Sequence, residues 1–561
     1  MKLRPLVLLV VLPLVAVALA APTAAAPGQT WNVESGAAPG GDGSASRPFD
    51  ALASAEAASG EGDTIIVLPS EGVLDGGIQL QPGQTLVGAG QSSRITNTTT
   101  NLDGDAVRLA DHTTVRNLRI INARRGAVYG QDVTGVDVSD NDVSGQNTSC
   151  TRGFHIPAFR APTNVPGVGI PIPNGLHNGW AAIMIDAEHL TDATVRVNGN
   201  VVHDAECGDG IDVRASGTAS MNATITDNDV HSLRQGKGLT SLLAIGLQAR
   251  DTARLTAVVD GNTQANLGND DDVNVGPEGA DSEGVFINGV GPSRLHATVT
   301  DNRYTNERGI GGFSANGLEM VSMGKGSRVT TVVRDSSFSG SPGDVIEEGA
   351  LGTDARLEMV LERVTAARST GVGNTVVLPF NNGDCMLAGS LGARNDVRLT
   401  VRESVFRDCS NNGLSLGSNV VNGSGPTKNL SLEVDRSTIT GNRGGNLGIR
   451  NFTKLDSLSV KVQRSNLAGS RSIGSAVADF SAEDLGRTTT SVIDIGGGAL
   501  ASAGGNCLRG GLLAANIVRY RVSAKGNWWG RPGGPGPLRT FTLGGRLDTS
   551  QPLSTAPPYC D

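Results

Sequence analysis

Ala223-Thr224-Ile225-Thr226-Asp227-Asn228-Asp229-Val230 decides the fold. Apolar residues alternate with polar ones, two polar residues follow, and an Asn precedes one more apolar position. Val136-Asp137-Val138-Ser139-Asp140-Asn141-Asp142-Val143 has the same order, and thirteen segments share it, among them 297–304, 399–406, 432–439 and 460–467. With the sixth residue as an anchor, the anchors fall at 118, 141, 200, 228, 262, 302, 336, 363, 404, 437, 465, 498 and 527. Periods of roughly 20–50 residues signal stacked supersecondary units. Alternation within a copy means a strand with one face inward. Asn, Ser or Gly at the anchor suits a turn, because Asn and Gly tolerate left-handed backbone angles.

A second strand precedes most anchors and often begins at Gly, as in Gly210-Ile211-Asp212-Val213 and Gly317-Leu318-Glu319-Met320. Each period holds at least two short strands and two turns, and no convincing amphipathic helix. A propeller blade needs about four hairpin-linked strands, and most of these periods are too short for one. The fold class expected is all-β: a right-handed parallel β-helix of some 13 coils, roughly 60 Å long at about 4.8 Å per coil. Aromatic residues are 3% of the chain, so the core must be rows of Val, Ile, Leu and Ala.

Residues 1–20 read as an export signal: Lys2 and Arg4, an apolar run, then Ala18-Leu19-Ala20. The mature chain is therefore expected to be secreted, extracellular and monomeric, with no membrane span. A net charge of −9 argues against a nucleic-acid partner, which favours a basic face. Six cysteines suit an oxidising compartment and allow 15 connectivities. Cys150 and Cys207 hold nearly the same phase on adjacent coils, which predicts a Cys150–Cys207 bond. Cys507 with Cys560 ties the tail to the last coils. Cys385 and Cys409 are the remaining pair, out of phase.

The expected organisation is a cap with first coils over 21–95, the β-helix over 96–530 and a tail over 531–561. The cap carries a short helix within 49–58, which shields strand edges at the open end. The run from Trp31 to Gly90, with Gly62-Asp63-Thr64-Ile65 and Gly76-Gly77-Ile78, resembles the N-terminal region of secreted bacterial β-helix proteins of the pectate-lyase-like superfamily. Gly526-Asn527-Trp528-Trp529-Gly530 resembles the motif that closes such helices. The resemblance implies a fold shared by lyases, hydrolases, epimerases and proteins with no known reaction.

One interval, 141 to 200, is 59 residues long. Removing the Pro- and Gly-rich residues 146–180 leaves a normal coil, so this is a loop inserted into the stack, and long loops in compact domains are usually functional or disordered. Phe154, His155, Arg160, His177 and Trp180 are its candidate sugar-binding residues. The plain alternative is a covering flap.

Gly208-Asp209-Gly210-Ile211-Asp212 resembles part of the Asn-Thr-Asp-Gly-x-Asp segment of polygalacturonases, which implies a catalytic carboxylate at Asp209 with Asp212 beside it. Here Gly208 stands at the Thr position, and the family's Asp-Asp pair one coil later has no counterpart. The alternative is a polar turn. His203 and His231 share one phase and should stack near Asp204, in reach of proton transfer or metal binding. Asp270, Asp271, Asp272 and Glu278 form an acidic cluster that suits Ca²⁺, with Arg250 or Arg214 as a base by resemblance to pectate lyases. These residues point to a secreted protein acting on a polysaccharide, as a polyuronide lyase or glycoside hydrolase. The alternative is a non-catalytic glycan- or surface-binding rod, and a mannuronan-type epimerase shares the fold.

Overall fold

A computed structural model describes residues 28–162, 169–172, 174–236, 239, 241–268, 281–306, 315–370, 383–418, 426–471, 478–509 and 513–560. Three long parallel sheets run the length of the chain. One coil shows how. Ile211–Ala215 lies in the third sheet, a turn leads to Ser220–Thr226 in the first, and Asp227-Asn228 bends the chain into Asp229–His231 in the second. The next coil repeats the path, with Met221 paired to Leu255, Val230 to Gln264 and Ile211 to Ile245. Because side chains alternate along a strand, Met221, Ala223 and Ile225 enter the core while Asn222 and Thr224 face solvent. The chain is a right-handed parallel β-helix.

The bend between the first and second sheets works differently from the expectation. The left-handed residue is the one before the anchor: Asp140, Asp227, Asp301, Asp335, Glu403 and Arg436 all have φ near +50 to +60°. The anchor turns its side chain inward instead. Asn141 donates to Asn200 (2.9 Å), Asn200 to Asn228 (3.0 Å) and Asn228 to Asn262 (2.9 Å). Serines continue the ladder, accepting the N–H of the previous coil at Ser336, Ser404, Ser437 and Ser465. This corrects two anchors. Val364, not Arg363, occupies the ladder position, since its N–H reaches Ser404. Residue 498 is not an anchor at all, because the ladder passes from Ser465 to Asn506 and then to Asn527.

Core rows run along the rod. Ile185, Val213, Leu247, Ile287 and Met320 are successive register partners. The next member is Glu348, followed by Ala388. Glu348 is buried inside the solenoid with both carboxyl oxygens unpartnered, and burial pushes its carboxyl well above the usual range.

The helix Leu52–Ala58 covers the N-terminal end with Leu52 and Ala55 buried. At the other end the stack continues into the stretch read as a tail: Thr540–Leu543 and Arg546–Asp548 pair with the preceding coil. Disulfides join Cys150 to Cys207, Cys385 to Cys409 and Cys507 to Cys560. Among the described residues no helix is long and apolar enough to cross a membrane.

Candidate functional site on the third sheet

The inserted segment forms a hairpin on the outer face of the third sheet. Arg152–Ile156 pairs antiparallel with Leu176–Gly179, and Asn178 pairs on to Ser241. Phe154, Ile156 and Leu176 pack on Leu243, Phe286 and Val321, which point outward from the rod. The sequence favours this, since those three sheet positions are apolar where a solvated face would be polar. Phe154 is fully buried and offers no surface to a ligand; it anchors the flap. His155 and His177 stack across the hairpin with centroids 4.7 Å apart, and burial leads the lowering of the His177 pKa, with His155 and Arg152 adding to it. The Arg160 side chain lies outside the described residues; its backbone pairs with Pro171.

Asp209 opens its coil's third-sheet strand. Asp105, Asp344 and Asp384 stand at the same position of other coils, as the pairing of Val107 through Val128 and Ile183 to Ile211, and of Ile346 to Met386, requires. Each of the four is buried and accepts an N–H from the following coil: Gly126 to Asp105, Leu243 to Asp209, Asp384 to Asp344 and Asn412 to Asp384. This recurrence gives Asp209 a coil-capping role, the polar turn that was its alternative reading. The sequence carried the signal as Asp two residues before each inward apolar residue, but the irregular coil lengths hid it.

Asp212 stands three residues on and faces outward between Met184 and Gly246. A Cβ at position 246 would meet Asp212 Oδ1 at 2.4 Å, so the glycine makes room for the carboxyl. Asp212 is fully buried, and its hydrogen-bonding neighbour is the Asp209 carboxyl rather than any N–H. Burial pushes it up to about 8; Arg214 opposes the rise and Asp186 adds to it. Burial and then the Asp212 charge raise Asp209 as well. The two carboxyls form one coupled acid pair.

Arg214 binds Asp186 on the adjacent coil through both carboxylate oxygens and donates to Gly153 O of the hairpin at 3.4 Å. Beyond this pair the face stays partly open. Arg125 lies 4.0 Å over the Trp180 ring and holds Asp105 at 2.6 and 2.8 Å. Arg108 and Arg125 flank Tyr129, whose phenol burial pushes up to about 12. Arg108, Arg125, Tyr129 and Asp186 were missed in the sequence, because only the register shows that they share one face with Asp212 and Arg214.

His203 and His231 do stack, with centroids 5.3 Å apart and planes at 18°. They lie on the second sheet, so the fold does not bring them to Asp212. His203 is held between Asp142 (2.9 Å) and Asp204 (2.7 Å). Burial lowers its pKa, and the two carboxylates outweigh that and raise it. Asp270, Asp271, Asp272 and Glu278 lie outside the described residues, and among the described residues no three His, Cys, Asp or Glu side chains are placed to hold a metal ion.

No family model and no curated protein matches the chain. Among solved structures it is similar to the lacto-N-biosidase of Eubacterium ramulus (13% identity, TM-score 0.37, covering 66% of this chain and 64% of that one). It is also similar to the A-module of the mannuronan C-5 epimerase AlgE4 of Azotobacter vinelandii (10%, 0.28, 90% and 94%) and to the pectate lyase Pel9A (12%, 0.22, 81% and 80%). The chain thus spans under two thirds of the lacto-N-biosidase. The architecture is a right-handed parallel β-helix. It rests on the three parallel sheets and their register, and likenesses at these scores carry no argument about activity.

Proposed function

We propose that the protein is exported and acts as a monomer on an acidic polysaccharide at the outer face of the third sheet, as a glycoside hydrolase or polyuronide lyase. The observation that carries this reading is the placing of the Asp212 carboxyl beside the Asp186–Arg214 pair, next to a rim of Arg108, Arg125, Tyr129 and Trp180. A glycosidic cut needs one protonated and one ionised carboxyl. Asp212, which burial holds above the usual carboxylate range as one acid pair with Asp209, is the proton donor to the leaving oxygen, and Asp186 is the carboxylate partner. Arg214, paired with Asp186, and Arg125 and Arg108, paired with Asp105 and Asp103, offer their remaining N–H groups to the sugar, and the Trp180 ring takes a sugar face. Three disulfides and the N-terminal segment support export. The acidic run at Asp270, Asp271, Asp272 and Glu278 is proposed to hold Ca²⁺.

A second reading, a non-catalytic glycan-binding rod, is favoured by one observation: Asp212 is sealed, with Phe154 packed on neighbouring Leu243 and Phe286. Incubation with polyuronides and neutral glycans, with and without Ca²⁺, separates the two. Unsaturated products or new reducing ends support the first reading. Glycan retention without any product supports the second.

A further inference from the structure

Arg254, Arg294, Arg328 and Arg356 are register partners on four successive coils of the first sheet. Each begins its strand and points away from the core; the first three are exposed. Neighbouring coils lie about 4.8 Å apart, so the four backbone positions span about 14 Å along the rod. Only Arg356 has a carboxylate partner in this row, Glu358 at 3.0 Å. Among the described residues Arg254, Arg294 and Arg328 form no ion pair.

Later coils of the same sheet carry shorter like-charge pairs, Lys454 with Arg487 and Arg521 with Arg546. At other positions charges answer one another from coil to coil: Arg334 meets Glu362 at 3.0 Å and Arg402 meets Glu433 at 3.5 Å. Like charges side by side on neighbouring strands repel. Among the described residues no acid pairs with Arg254, Arg294 or Arg328, in a chain whose net charge is −9. The row ends where Asp396 follows Arg356 in register. Guanidinium groups bind carboxylate and sulfate oxygens through two parallel N–H bonds, and a row of them one coil apart matches a chain that carries one anionic group per repeat.

We propose that this arginine row is a second binding site, for a linear acidic polysaccharide lying along the rod on the first sheet, away from the Asp212 face. Its ligand chemistry is a repeated carboxylate or sulfate. The site does not depend on the reading of the third sheet, since it needs no reaction. It gives the rod a hold on a polymer from which the other face stays free.

Binding of a polyuronate and of a sulfated glycan of matched length is measured by calorimetry, for the full chain and for the triple variant Arg254→Gln, Arg294→Gln, Arg328→Gln. The residues are exposed, and circular dichroism confirms that the variant folds. The expected result is tenfold or greater weakening for at least one acidic glycan, with a shallower salt dependence; which one weakens tells carboxylate from sulfate. Product formation by the triple variant is read separately from its binding, so failure here and failure of the catalytic reading are separate results. Unchanged affinity in the triple variant overturns the proposal. So does equal affinity for single-stranded DNA or for a neutral glucan, or no binding of either acidic glycan.

Discussion

Phe154 stands edge-on to Phe286, with ring centroids 6.0 Å apart and planes at 75°. One ring belongs to the inserted hairpin and the other points outward from the rod, so this contact fastens the flap to the sheet. Phe154→Ala removes a fully buried ring, which costs about 3–5 kcal/mol in a core. Here the loss is local. Hydrogen exchange over 152–156 and 176–179 is expected to quicken, while exchange in strands 220–226 and 254–260 stays as in the wild type.

The ladder makes a second prediction. Asn200 donates to Val138 O and Asn228 Oδ1 and accepts from Asn141. Asn200→Ala leaves Asn228 Oδ1, Val138 O and the Asn141 amide short of a partner inside the rod, at about 1–3 kcal/mol for each group left unmade. Urea unfolding should show a loss of about 3 kcal/mol or more. Asn200→Ser, the residue used further along the ladder, should recover part of it.

Glu348 sets a pH dependence. Its carboxyl is raised in the folded state by burial, so the unfolded chain binds fewer protons once pH exceeds the ordinary carboxylate value. Stability is then full below about pH 4.3 and falls as pH rises toward the folded value. Glu348→Gln removes this contribution. The difference in Tm between variant and wild type should grow in favour of the variant from pH 5 to pH 8.

His203 has the same sign of pH dependence, from a different cause. The carboxylates of Asp204 and Asp142 raise its pKa against the effect of burial. Its contribution is fully present below the unfolded imidazole value, about 6.5, and is lost as pH rises through the folded one. An NMR titration should place His203 above an ordinary imidazole, and Asp142→Asn should bring it down.

The repeat made most of the architecture legible. Alternating Val, Ile and Leu named the inward positions, and phase placed Cys150 over Cys207 and His203 over His231. What remained hidden was whatever only register reveals. Asp105, Asp209, Asp344 and Asp384 share a position that unequal coil lengths conceal. Asp186 and Arg214 are 28 residues apart in the chain yet lie side by side. The four-arginine row is invisible without knowing which residue starts each strand. Anchors 363 and 498 slipped because Arg and Gly next to a bend look alike to a turn pattern, while the side chain that fills the ladder is fixed by what it bonds across coils.

The central claim is that Asp212, and not the coil-capping carboxyls, supplies the proton in glycan cleavage. The direct measurement is the rate of product formation from an acidic polysaccharide by wild type, Asp212→Asn and Asp384→Asn, the last keeping an oxygen for the Asn412 N–H. The expected result is a loss of about 100-fold or more for Asp212→Asn and a rate near wild type for Asp384→Asn. Equal rates for Asp212→Asn and wild type would contradict it.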